Sequence, residues 1–217
     1  MTCNPEFNIR NFVEKFKDMD DSQWGEYMLS KDPLYGKMNQ ESKSEIIRNS
    51  IKCAEEEYEK ISQEISGEGL QEYIEKEGIK LTYEDEALQS IYTYLSLYIP
   101  KSKTIIISNY TIDLIKKEIE KEEIGDILKT DRLIDMAIAH ELFHHIEEKS
   151  EKIYTREKNM EYLLFGKIKR EACAAAASEI AAVCFSKLVA GITFCPSVFE
   201  IIAGQFINIE HLCQQFK

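Results

Sequence analysis

The sequence predicts an α+β fold, mostly helical, with a small antiparallel sheet. Three observations predict it. Long stretches place apolar residues three and four positions apart, the repeat of a helix with one buried face, as in Ile47, Ile51, Ala54, Tyr58, Ile61 and Ile65. Two short runs read differently: Ile91 to Ile99 alternates two sets of side chains, Thr104 to Ser108 is rich in isoleucine, and Pro100-Lys101-Ser102 makes a turn between them. Finally, three of the chain's four histidines fall in one short stretch, His140-Glu141-Leu142-Phe143-His144-His145, whose apolar neighbours again keep helical spacing.

The 217 residues and their 44% hydrophobic content suit one domain of ordinary size, residues 41–217, preceded by a helical accessory segment at 1–40. In that segment Ile9, Phe12, Val13 and Phe16 mark one helix and Trp24, Tyr27, Met28 and Leu29 a shorter one, ended by turns at Lys31-Asp32-Pro33 and Tyr35-Gly36. Ser42 followed by Glu45 forms a capping-box pattern that opens the long helix, which stops near Gly67 and Gly69. A short helix from Leu70 to Lys76 ends at Gly78, and Ile79 to Tyr83 reads as a strand. Beyond the alternating runs, Tyr110 to Glu122 returns to helix and Gly125 interrupts it. Thr130 then caps a helix through Leu133, Ile134, Ala137, Ile138, Leu142 and Ile146, with Glu147, Glu148 and Lys149 on its solvent side. Lys149 to Lys169 is charged and irregular, Glu171 to Val189 is an alanine-rich helix, and Pro196-Ser197 opens one more. The chain closes on an apolar stretch around Phe206, Ile209, Leu212 and Phe216.

Composition narrows the function. No apolar run reaches membrane-spanning length, and Met1 to Arg10 lacks the basic-then-apolar pattern of a secretory signal, so a cytoplasmic protein with no membrane partner is expected. Six cysteines with no CxxC pair fit reduced thiols, most of them small core residues. A net charge of −12, with basic residues interleaved among more numerous acids, argues against nucleic acid as a direct partner. It leaves peptides open.

The chemistry is concentrated in the histidine stretch. On a helix His140 and His144 share a face and can meet one metal ion, while Glu141 stands where a metalloprotease keeps its general base. A catalytic zinc site commonly takes three protein ligands and leaves a position for water, so a third must come from elsewhere. The extended HExxHxxGxxH pattern does not supply it, because its glycine and last histidine would fall on Glu147 and Ser150. Glu179 is the leading candidate: its helix neighbours Ala172, Ala175, Ala176, Ala182, Val183 and Ser186 are small, and a carboxylate in such an apolar stripe calls for a cation. Glu171 is its rival on nearly the same face, and Glu161 a more distant one. Tyr154 and Tyr162 are candidates for hydrogen-bonding a substrate oxyanion.

The order of these features resembles the ImmA/IrrE-type metallopeptidases, zinc-dependent gluzincin-like proteins of bacteria, phages and mobile elements. The shared run is a long helix, a short one ending in EKEGIKL (Glu75 to Leu81), strands, the HExxH helix, and then ExxAxxF at Glu179, Ala182 and Phe185. It covers roughly residues 42–190. The resemblance implies a zincin-like domain holding one zinc through His140, His144 and Glu179, with Glu141 as the base. It also implies regulatory proteolysis of a protein, typically a transcriptional repressor. Phe143 departs from the glycine often found inside the motif, and FSKLVAG (Phe185 to Gly191) from the usual alanine-rich ending with a proline. The alternative is a non-catalytic regulatory module that binds zinc or a partner on the same fold.

Overall fold

The structure, a computed structural model, describes residues 8–85, 94–164 and 167–204. Helices dominate, as expected of the α+β class, and the sheet is small. The core is a layer of three helices: α3 (Gln40–Glu68), α7 (Leu133–Lys149) and α8 (Ala175–Ala190). Helix α8 makes its most extensive contacts with both of the others. Its composition explains that central place, because Ala176, Ala177, Ala181 and Ala182 are buried and let the neighbouring backbones come close, while Ile180, Val183 and Phe185 fill the gaps. Phe143 of α7 is fully buried with its ring centroid 5.6 Å from that of Phe185.

The long helix starts earlier than the Ser42–Glu45 pattern predicts. Asn39 is its cap, accepting a hydrogen bond from the Ser42 backbone N–H at 2.8 Å. It ends at Gly69, whose φ of 94° is a left-handed value that suits glycine. The short helix α4 (Leu70–Lys76) and Gly78 follow as predicted.

The expected antiparallel sheet is mixed. Strand β3 (Thr104–Ser108) lies in the middle, β2 (Ser96–Ile99) pairs with it antiparallel, and β1 (Lys80–Glu84) pairs with its other edge in parallel. Chain crossing makes the sheet mixed, because β2 and β3 pair as neighbours in sequence while β1 joins the far edge of β3; burial sets the strand order. Thr104, Ile105, Ile107 and Ser108 are all buried, so β3 takes the central place, and the less buried β1 and β2 flank it. The alternation from Ile91 onward extends past the strand: residues 91–93 lie outside the described residues, and β2 itself covers Ser96–Ile99. Among the described residues β2 is an edge strand, and it packs on α7.

After β3 come α5 (Asn109–Lys121) and a single turn, α6 (Gly125–Leu128). Thr130 does not cap α7 but lies in a 3-10 turn that leads into it. The stretch expected to be irregular contains a hairpin, β4 (Met160–Leu164) with β5 (Ile168–Ala172). Ile168, Lys169, Arg170 and Glu171 are all exposed, so neither face of β5 carries the apolar alternation that marks a strand. Glu171 therefore sits on a strand, and α8 begins at Ala175.

The N-terminal helices α1 (Ile9–Phe16) and α2 (Asp21–Leu29) pack into the same core, α2 lying on both α3 and α8. Two polar contacts tie this segment to α8. Lys187 donates to Asp21 at 2.6 Å, and the buried Asp32 accepts from the Ala176 N–H at 3.0 Å, satisfying a donor in the first turn of α8. Cys53, Cys184 and Cys195 are buried free thiols, and burial pushes the Cys195 thiol up to about 12. Among the described residues no helix is long and apolar enough to cross a membrane.

Candidate metal centre and its cleft

Helices α7 and α8 lie side by side, and their contact brings three side chains together. The i and i+4 spacing puts His140 and His144 on one face of α7, and Glu179, in the second turn of α8, faces them. His140 Nε2 is 3.2 Å from His144 Nε2 and 3.4 Å from Glu179 Oε2, and His144 Nε2 is 3.7 Å from Glu179 Oε1. Ligand atoms 2.0–2.2 Å from a tetrahedral zinc would be about 3.3–3.6 Å apart. The three donors thus already stand near the edges of such a polyhedron, and two imidazoles with one carboxylate are a donor set that zinc accepts. Glu171 and Glu161 take no part: they pair with Lys158 at 3.1 Å and Lys169 at 3.5 Å on the hairpin surface.

The electrostatics follow from the crowding. Burial alone would push the His140 imidazolium down, but the hydrogen-bonded Glu179 carboxylate, with Glu141 and Glu200 nearby, raises it to about 9. Glu179 is 56% exposed, yet its surroundings in the cleft still partly desolvate it, which works against the ionised form; His140 and His144 outweigh that and lower it to about 2. Both shifts favour an imidazolium paired with a carboxylate when no metal is bound.

Behind His144 is a support that the sequence reading misses. Glu147, expected on the solvent side, is turned inward with only 12% of its side chain exposed. Its Oε2 lies 3.5 Å from His144 Nδ1 and accepts a hydrogen bond from Ser178 at 2.8 Å. Burial would raise its pKa, and the interactions with His144, Thr155 and Ser178 together outweigh that and hold it below the ordinary value. A carboxylate at Nδ1 keeps that nitrogen protonated and leaves Nε2 free for a metal. One turn separates His144 and Glu147, and Ser178 adjoins Glu179, so the only clue in the sequence is proximity to the motif.

Glu141 lines the same cleft, on the side that faces β2. It is 6% exposed, and Ser96 of β2 donates to its Oε1 at 2.7 Å. The third histidine of the motif is structural: His145 is buried, with Nδ1 2.7 Å from the Tyr98 hydroxyl, and burial lowers its pKa. His211 lies outside the described residues.

His140, Glu141, His144, Glu147 and Glu179 line a cleft of about 590 Å³. Strand β2 forms one wall, α7 and α8 carry the candidate metal ligands, and Pro196, Phe199, Glu200 and Ala203, from a last helical segment at residues 197–204 and the proline before it, close the far side. The described lining includes Glu141, Glu147, Glu148, Glu179 and Glu200 and no lysine or arginine. Tyr154 and Tyr162 do not line it. Tyr154 lies in a 3-10 turn packed against α3 and α8, and the Tyr162 ring sits 4.6 Å from the Lys37 ammonium.

Comparison of the chain with protein-family models, curated proteins and solved structures finds no match.

Proposed function

We propose that this chain is a zincin-like zinc metallopeptidase that hydrolyses peptide bonds in a protein substrate. The observation that carries this reading is the spacing of the His140, His144 and Glu179 donor atoms, with Glu141 beside them in an open cleft. Those three residues would hold the metal. A bound zinc supplies Lewis acidity, which makes a water acidic enough to lose its proton near neutral pH and polarises the carbonyl it meets.

The chain's own residues do the rest. Glu141 accepts the proton of the attacking water and passes it to the departing amine. Glu147 and Ser178 keep the His144 ring oriented. Strand β2 presents a backbone edge toward the cleft, and an extended peptide can pair with it, gaining affinity with little demand on sequence. The acidic lining favours a substrate segment carrying lysine or arginine. Regulatory cleavage of a protein such as a transcriptional repressor fits the resemblance in motif order, and it belongs to this proposal.

The test is Glu141→Gln. The variant should retain its zinc and lose cleavage of peptides that the wild type cuts, and undiminished cleavage would remove Glu141 from the mechanism.

A further inference from the structure

The strand that walls the cleft also holds the candidate base. Ser96 and Tyr98 stand two residues apart on β2, so they share a face about 6.7 Å apart. Glu141 and His145 stand four residues apart on α7, about 6 Å along its axis. The two repeats match, and both pairs close at the same distance: Ser96 Oγ to Glu141 Oε1 at 2.7 Å, and Tyr98 Oη to His145 Nδ1 at 2.7 Å. The edge strand is therefore clasped to the HExxH helix at two points.

Ser96 has one proton to donate and two acceptors in reach, Glu141 Oε1 at 2.7 Å and the Ala137 carbonyl at 3.3 Å. The charged, nearer oxygen wins. The terminal torsion of a glutamate is broad, so a carboxylate without a partner samples many orientations. Among the described residues the side-chain hydrogen bond to Glu141 comes from Ser96. That bond ties down Oε1 and leaves the second oxygen for proton transfer.

We propose that Ser96 is a positioning residue for the base: its hydroxyl fixes the Glu141 carboxylate to the substrate-binding strand, while the Tyr98–His145 pair fixes that strand to the helix. This rests on the metallopeptidase reading. It adds that peptide docking and base orientation share one strand. A peptide settling on β2 meets a base already aimed by that same strand. A displacement of about 1 Å in such a group can cost about a hundredfold in rate.

The test uses the zinc-loaded full chain and acetohydroxamic acid, which chelates zinc through two oxygens and shares its proton with a neighbouring carboxylate. Wild type, Ser96→Ala, Ser96→Thr and Glu141→Gln are compared for zinc content, zinc affinity by chelator competition, melting temperature and hydroxamate Kd. Ser96 contacts none of the three donors, so zinc content and affinity should not change in its variants. Ser96→Ala should weaken the hydroxamate about tenfold, the loss of one hydrogen bond to a charged group. Ser96→Thr keeps a hydroxyl on a strand and should restore binding to within about twofold. Glu141→Gln should be the weakest binder. Hydroxamate binding by Ser96→Ala equal to wild type overturns the assignment, and so does a parallel loss of zinc affinity, which would make Ser96 merely structural. A wild type that takes up no zinc, or a Glu141→Gln that binds hydroxamate normally, overturns the metallopeptidase reading itself.

Discussion

Replacing Glu179 with glutamine removes the carboxylate from the metal group while keeping the shape of the side chain. The side chain is 56% exposed, so the substitution leaves the α7–α8 packing in place and acts on metal binding. Zinc held by four protein ligands contributes about 10–16 kcal/mol, or roughly 3 kcal/mol for each. Loss of one strong donor should therefore weaken zinc about a hundredfold. The comparison is best made above pH 9, by competition with a chromophoric chelator, because His140 is raised to about 9 and its proton competes with the metal below that. Glu171→Gln is the matched control: Glu171 pairs with Lys158 on the hairpin and should bind zinc as the wild type does. If Glu179→Gln holds zinc within about threefold of wild type, or if Glu171→Gln is the variant that loses it, the ligand set is wrong.

Two further outcomes follow from the same geometry. In the metal-free protein His140 is raised from 6.5 to about 9, so its contribution to stability is complete below 6.5 and lost as pH climbs through about 9. Glu179 is lowered from 4.5 to about 2, so its contribution is complete above 4.5 and lost as pH falls through about 2. Thermal melts of chelator-treated protein should thus show an alkaline decline between about pH 6.5 and 9 that is smaller in Glu179→Gln, and an identical pH profile for the two proteins would refute the pairing. Glu147→Ala should lower zinc affinity about 10–100-fold by releasing the His144 ring, again read by chelator competition. Unchanged affinity would return Glu147 to the role of an ordinary helix residue.

The sequence reads most clearly where a single period dominates. The steps of three and four from Ile47 to Ile65 locate α3, and the glycines at 69 and 78 locate its end and that of α4. The HExxH spacing names two of the three residues whose donors the fold brings together, and the small residues around Glu179 make it the leading third with Glu171 still open. Periodicity fails where both faces of an element meet water or both are buried. Strand β5 is exposed along Ile168 to Glu171, so it reads as irregular chain running into a helix, and that reading is what makes Glu171 a rival ligand. The sequence places Glu147 in solvent because a charged run at the end of a helix usually faces water, whereas here Thr155 in the turn at residues 154–156 and Ser178 of α8 cover it. The mixed sheet and the Ser96–Glu141 contact depend on chain crossing and on residues 45 positions apart, and no local pattern encodes either.

The central claim is that His140, His144 and Glu179 hold one metal ion. The most direct test is elemental analysis of the full chain, purified without added metal and without a metal-binding tag. About one zinc per chain is the predicted result for a three-ligand centre. A chain that carries no zinc as purified and takes up none on reconstitution would contradict the claim, and the histidine stretch would then be an ordinary part of a buried helix.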